Sequence, residues 1–440
     1  MKTLLIKNAI IVTLGENNRV LHGFALLAED GAIKKIGPQK TFRGKYSKVI
    51  DGTGKVLMPG FINAHMHFYS TFARGLTKAR PSKNFIEVLN NLWWRLDKKL
   101  GAQDCYYSAL IALINAVRKG TTTLIDHHAS PMAAAGSLCA IEKAVRQSGL
   151  RACLCYEVSD RDGKQAAAQG IAENSDFIKR TAASGGNIVK AMFGLHASFT
   201  LSNSTLEAAG ETGRALGAGF HIHAAESQSD QLFCGMHHKK RVIERLFEFG
   251  ILGPKTIAAH CVHIDEKELD LLKQTGTAVV HNPQSNANNS VGIADLIKMS
   301  DKGVLTGLGT DAMTVNMLEE VRTAVWLQHL KHDPSKGFAE PVNALLRGNA
   351  RIANRYFTGL GELKEGFQAD MVLIDYLPPT PLTDENFQGH LVYGLSQSQV
   401  DTTIAAGRVL MEGKKLKLGI DEEETARKSA ELSRKLWSRF

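Results

Sequence analysis

The sequence predicts an α/β protein: a (β/α)8 TIM-like barrel with a small β-sandwich domain formed by both chain termini. Three observations predict it. The middle of the chain repeats a strand–helix rhythm, both ends carry short strands and turns, and histidines and acids gather just past the apolar runs. A length of 440 residues exceeds one small domain and suits a large barrel plus an accessory unit. The expected division is 1–57 plus 368–420 for the sandwich, 58–367 for the barrel, and 421–440 for a terminal helix.

In chain order, Leu4–Leu14, Phe24–Glu29, Ala32–Ile36 and Val49–Asp51 read as strands, separated by the turn signals Asp30-Gly31 and Gly52-Thr53-Gly54. The same texture returns in Asp370–Tyr376 and Val400–Glu412. Between them, eight apolar runs read as strands: Val56–Asn63, Thr121–Asp126, Ala152–Glu157, Ile188–Leu195, Gly219–Ala224, Thr256–Ala259, Ala278–His281 and Leu305–Gly309. Helical patterns such as Tyr106–Lys119, Cys139–Gln147, Glu207–Leu216, Lys240–Phe249 and Glu266–Gln274 intervene. This alternation argues for a closed parallel barrel. An open doubly wound sheet is the competing architecture, but no Gly-rich phosphate loop follows the first strand. The tail from Asp421 to Phe440 is amphipathic, with Leu432, Leu436 and Phe440 on one stripe. Its acids come first and its bases last, as the helix dipole favours.

The composition is that of an ordinary enzyme, 44% hydrophobic and 22% charged. A formal charge of +9 raises the question of nucleic acid, but the bases are scattered and no aromatic-interleaved stripe accompanies them. Neither a nucleic-acid nor a membrane partner is expected, since no apolar stretch approaches the roughly 20 residues of a membrane span and the start of the chain lacks a signal-peptide pattern. The six cysteines show no paired spacing, and Cys153 and Cys155 read as barrel packing. A reducing cytoplasm fits this usage.

The chemistry is carried by an ordered set: His65-Met66-His67, His223-Ala224-Ala225-Glu226, His260, then Gly309-Thr310-Asp311. Side chains alternate along an extended segment, so His65 and His67 point the same way and can grip one ion. Three imidazoles and a carboxylate hold one divalent metal and leave a position for water. Asp311 supplies a hard oxygen and can accept a proton, Glu226 can protonate a ring nitrogen or leaving amine, and His260 can orient the attacking group or steady an oxyanion. His221, one pleat deeper than His223, reads equally as a packed or a supporting residue. Lys190 precedes His196 by six residues, about 20 Å deeper at the strand rise, so a single-metal site is expected and Lys190 is structural.

The segments PGFINAHMH (59–67), ARG (73–75), HIHAAE (221–226), AAHCVH (258–263), HNPQSN (281–286) and GLGTDA (307–312) resemble the amidohydrolase superfamily, in its one-metal deaminase and chlorohydrolase (ATZ/TRZ) branch. That branch includes chlorotriazine hydrolases, cytosine and guanine deaminases and adenosylhomocysteine deaminases. HFYSTFARG, NLWWRLDKKL and DHHASP are further similar to the SsnA group of aminohydrolases. The resemblance implies a metal, usually Zn²⁺ and sometimes Fe²⁺, on His65, His67, His223 and Asp311. It implies a proton shuttle at Glu226, His260 against the attacking hydroxide, and a substrate contact at His196. Asp126-His127-His128 departs from the pattern, since many relatives carry fewer histidines there. His127 and His128 are accordingly expected to line the mouth, and Phe68, Tyr69, Trp93 and Trp94 to cover a flat heterocycle, the two tryptophans reading equally as a packed helix face. The role of His281 stays open, and so does assembly into a homo-oligomer.

The expected reaction is hydrolytic deamination of an amino-substituted nitrogen heterocycle, a purine, pyrimidine, pterin or triazine. The same site could instead hydrolyse a cyclic amide or remove a chloro or alkylamino group. A non-catalytic scaffold is a third reading, and it conflicts with the intact set of six core residues.

Overall fold

The computed structural model describes residues 2–440. Its two terminal regions interleave in two sheets. Thr3–Lys7 pairs with Phe24–Glu29 and Lys48–Asp51 in a four-stranded sheet completed by Ala32–Pro38. A seven-stranded sheet joins Ile10–Val12, Val20–Leu21 and Lys55–Pro59 to Met371–Asp375, Val400–Ala405, Arg408–Glu412 and Lys415–Leu416. Leu4, Ile6, Ile11, Leu26, Leu57, Met371, Leu373 and Ile404 form one buried cluster, so distant parts of the chain share a core.

Two sequence boundaries shift. Leu4–Leu14 is two strands in different sheets, because Asn8 takes φ of 64° and turns the chain. Val56–Asn63 also divides. Lys55–Pro59 pairs antiparallel with Met371–Asp375, whereas Phe61–Met66 pairs in parallel with Thr121–Asp126. Gly60 lies at the break, where a Cβ would come within 2.3 Å of Thr122.

Nine parallel segments form the rest of the β structure. Val189–Ala191, Arg151–Leu154, Thr121–Asp126 and Phe61–Met66 lie side by side in that order. Phe193–Ala197, Phe220–Ala224, Ile257–His260, Ala278–His281 and Thr306–Leu308 make the second sheet. The expected strand Ile188–Leu195 therefore crosses from one sheet to the other at Met192. Parallel bridges link Val158 to Leu195 and Met66 to Asp311 at the two seams. Nearly every residue of these segments is buried, as expected when both faces are covered. Cys153 and Cys155 pack with Ile62, Ala64, Ile125 and Met192 in the interior.

Helices intervene, among them Ala102–Arg118, Ser137–Ser148, Lys164–Ser184 and Asn203–Ala215. Asp265 accepts from the Glu268 N–H and Glu268 reaches back, a reciprocal cap that starts Glu266–Thr275. Gly149, Gly185 and Gly276 end their helices in the left-handed conformation. Glu422–Ser438 is the terminal helix, with Leu432 and Leu436 buried, and it packs along Ala102–Arg118. No helix among the described residues is long and apolar enough to cross a membrane.

Candidate active site

Where the parallel strands end, the backbone turns sharply. Ala225, His260, Cys261 and Asp311 have φ of 48°, 73°, 50° and 50°, a conformation that non-glycine residues seldom adopt outside constrained sites. Local hydrogen bonds hold it: Asp311 N–H donates to His65 O at 3.0 Å, Cys261 N–H to Ala224 O at 2.9 Å, and Ala225 N–H to Asp230 Oδ2 at 2.8 Å.

These turns bring His65, His67, His223, His260, Glu226 and Asp311 together. Asp311 Oδ1 lies 2.9 Å from His67 Nε2 and 3.6 Å from His65 Nε2. Its Oδ2 accepts from Ser285 Oγ and faces His260 Nε2 at 4.0 Å. Glu226 Oε2 is 3.5 Å from His260 Nε2. One atom each from His65, His223, His260 and Asp311 falls within 4.8 Å of all the others.

The ring tautomers follow from their partners. His67 Nδ1 donates to His127 O at 2.5 Å and His223 Nδ1 donates to His196 O at 2.8 Å. In the neutral rings each Nε2 is then a bare lone pair, and these two atoms face each other at 3.2 Å. His65 Nδ1 is 2.8 Å from His221 Nε2, and His221 Nδ1 is 3.7 Å from Cys155 Sγ. His221 therefore supports His65 from behind, and the buried His65 Nε2 has no hydrogen-bond partner. Lone pairs converging on a carboxylate oxygen repel one another unless a cation lies among them. The donor set fits a divalent metal.

Burial shapes the titrations. It lowers His65 to about 3 and His260 to about 4, which keeps both neutral. Burial, reinforced by the Asp311 charge, raises Glu226 well above the usual carboxyl range and so favours its protonated form.

A cavity of about 670 Å³, its open mouth included, adjoins these groups. Tyr69, Trp93 and His196 line it, together with Trp94, Phe85, Leu89 and Phe199. His127 and His128 do not, which corrects their sequence placement. His127 stacks on His221 at 4.4 Å behind the cluster, and His128 Nε2 turns to Ser130 Oγ at 2.9 Å and Cys105 Sγ at 3.4 Å. His281 is likewise buried off the cavity, 3.3 Å from Asn286 Nδ2.

Three acids in the cavity wall, Asp97, Glu157 and Asp230, were not singled out from the sequence. Asp97 is buried and ion-paired with Arg161 at 2.9 Å, and burial, which outweighs that pairing, raises it to about 6. Glu157, only 3% exposed, lies 3.2 Å from His67 Nδ1.

The Amidohydrolase family profile matches residues 56–410. A 5-methylthioadenosine/S-adenosylhomocysteine deaminase of Syntrophomonas wolfei is 31% identical, covering 99% of each chain. A 5'-deoxyadenosine deaminase of Methanosarcina barkeri is 33% identical over 98% of each. Among solved structures, a zinc-bound adenosine deaminase from Xanthomonas campestris superposes with a TM-score of 0.88 at 21% identity, covering 99% of this chain and 98% of that one. A zinc complex of an atrazine chlorohydrolase from Arthrobacter aurescens gives 0.83 at 21%, covering 98% and 100%.

Proposed function

We propose, since the chain belongs to the amidohydrolase family, that it is a metal-dependent aminohydrolase that deaminates an amino-substituted nitrogen heterocycle. The observation that carries this reading is the convergence of the His65, His67 and His223 ring nitrogens on Asp311 Oδ1, with Glu226 3.5 Å from His260 beside them. Relatives about a third identical over nearly the whole chain are named as deaminases of adenosine derivatives, which makes aminopurines the first substrates to try.

His65, His67, His223 and Asp311 Oδ1 would hold one divalent ion, zinc being the metal of the two solved neighbours named above. When bound, such an ion supplies the positive charge that makes a water acidic near neutrality. Asp311 Oδ2, turned away from the ligand side, takes the proton of the attacking water. His260 donates Nδ1–H to Asn286 Oδ1 at 2.8 Å, which leaves Nε2 to accept from the same water and aim it. Glu226 gives its proton to the ring nitrogen beside the attacked carbon. Asp311's proton then passes to the departing amine. As the carbon–nitrogen bond breaks, the hydroxyl left on that carbon returns its proton to Glu226, so that water has added its oxygen, ammonia leaves and a ring carbonyl remains. Tyr69, Trp93 and His196 would flank the ring.

A reading of the architecture accompanies the chemical one. The bridges Val158–Leu195 and Met66–Asp311 support a closed (β/α)8 barrel, and the shared cluster of Leu4, Leu57 and Met371 supports a sandwich from both termini. Lys55–Pro59 then falls to the sandwich, moving its boundary from 57 to 59.

The test is ammonia release from aminopurines, aminopyrimidines, pterins and triazines by protein of known metal content. Turnover on one ring class is expected, with Glu226→Gln slower by at least ~10²-fold and its metal retained. Full turnover by that variant, or a metal-loaded protein that releases no ammonia, defeats the reading.

A further inference from the structure

Glu157 and His196 form a pair of acceptors that the protein itself does not serve. Glu157 is buried, lines the cavity, and keeps Oε1 without a hydrogen-bond partner. The nearest nitrogen, His67 Nδ1 at 3.2 Å, has a single proton, already given to His127 O at 2.5 Å. His127 Nδ1, at 3.9 Å, is beyond hydrogen-bond reach.

His196 is no donor either. The Thr200 hydroxyl donates to Ala197 O at 3.0 Å, so it accepts from His196 Nδ1–H at 2.7 Å. His196 Nε2 is therefore a lone pair, 3.8 Å from Glu157 Oε2 and also facing the cavity. Two unserved acceptors side by side in a buried wall are costly unless a bound molecule brings donors to them.

We infer that Glu157, with His196 beside it, is a specificity-determining acceptor pair that selects heterocycles presenting an amino or ring N–H group on the edge turned toward this wall. The inference deepens the aminohydrolase reading and names its substrate class: rings with a donor edge in addition to the carbon that reacts. A ring that offers only lone pairs there meets two acceptors and is rejected, the asymmetry by which sites built for a hydrogen bond discriminate most strongly.

The test is direct binding, by titration calorimetry, of matched rings to the zinc-loaded protein: 2,6-diaminopurine against adenine, and guanine against hypoxanthine. In each pair the members differ by one exocyclic amino group. The wild type is expected to bind the amino member at least ~10-fold more tightly. Glu157→Gln, which offers an amide donor in place of one acceptor, is expected to bring each pair within about threefold by weakening the amino member selectively. Its zinc content and thermal midpoint should stay unchanged.

Three results overturn the inference. The wild type could show no preference within either pair. The variant could weaken both members equally or lose its zinc, which would make Glu157 a support for the His67 ring. Two metal ions per wild-type chain, falling to one in the variant, would make it a ligand of a second ion. Ammonia release is scored separately: donor preference without any deamination overturns the aminohydrolase reading and leaves this one standing.

Discussion

At the residue scale, the site depends on acids placed where water cannot solvate them. Asp230 is one. Its carboxyl accepts the Ala225 N–H that holds the turn between His223 and Glu226, and burial raises it from 3.8 to about 7. The folded protein thus keeps a proton that the unfolded chain releases near pH 4. Stability from this group is full below that pH and falls as pH rises toward 7, by up to ~4 kcal/mol. Asp230→Asn keeps an acceptor and removes the titration. The variant should therefore melt at a higher temperature than wild type at pH 8, with the gap closing at pH 4. A gap of the same size at both pH values would contradict the assignment. The histidines and Asp311 were legible in the sequence because each directly follows an apolar run, and strand ends are where barrels carry chemistry. Glu157 also ends such a run, yet nothing local marks it. What distinguishes it is that the His67 and His196 protons are spent on His127 O and Thr200 Oγ1, groups on other segments. His127 and His128 misled for the converse reason: a loop position after a strand does not say whether a ring turns toward the cavity or back into the wall.

At the scale of elements, close approaches decide where strands start and change partners. Gly194 sits in the segment that passes between the two parallel sheets, and a Cβ there would lie 2.3 Å from Tyr156 O. Main-chain atoms cannot step aside as a flexible side chain can. Gly194→Ala should lower stability by about 3 kcal/mol, at the upper end for overpacking, read as a shift of the urea midpoint at constant m-value. An unchanged midpoint would mean that the seam is looser than its geometry. The strands themselves were legible as apolar runs, buried on both faces. Their interruptions at Gly60 and Met192 were not, since Val56–Asn63 and Ile188–Leu195 each look continuous and only long-range pairing divides them. Helix Lys164–Ser184 also went unread. Its buried stripe includes Ala167, Gly170, Asn174 and Ser175, too small and polar for a hydrophobic period to register.

At the scale of the whole molecule, distant segments meet the wall of the candidate active-site cavity. Arg151, at the start of a parallel strand, donates from Nε to Asp370 at 2.8 Å and from Nη2 to Gln368 at 2.6 Å, tying the parallel strands to the returning chain. The terminal helix reaches further. Trp437 Nε1 donates to Phe72 O at 2.7 Å, Lys78 Nζ donates to Trp437 O at 2.8 Å, and Arg439 Nη2 donates to Lys99 O at 3.2 Å. The Arg95 guanidinium lies 4.2 Å from the centre of the Phe440 ring. All four contacts fall on residues 72–99, between and around the groups that line the cavity at Tyr69, Trp93, Trp94 and Asp97. The cluster proposed to hold the metal receives none of them. Removing residues 421–440 should therefore loosen the substrate wall while sparing the ion. The expected result is a KM higher by about tenfold, near 1.4 kcal/mol of lost binding, with kcat within about threefold and zinc content unchanged. Loss of zinc, or a fall in kcat with KM preserved, would place the helix in support of the ligand cluster instead. The four contacts named argue against that outcome, because each ends on the segment that lines the cavity and none on the strand ends that carry His65, His223 and Asp311.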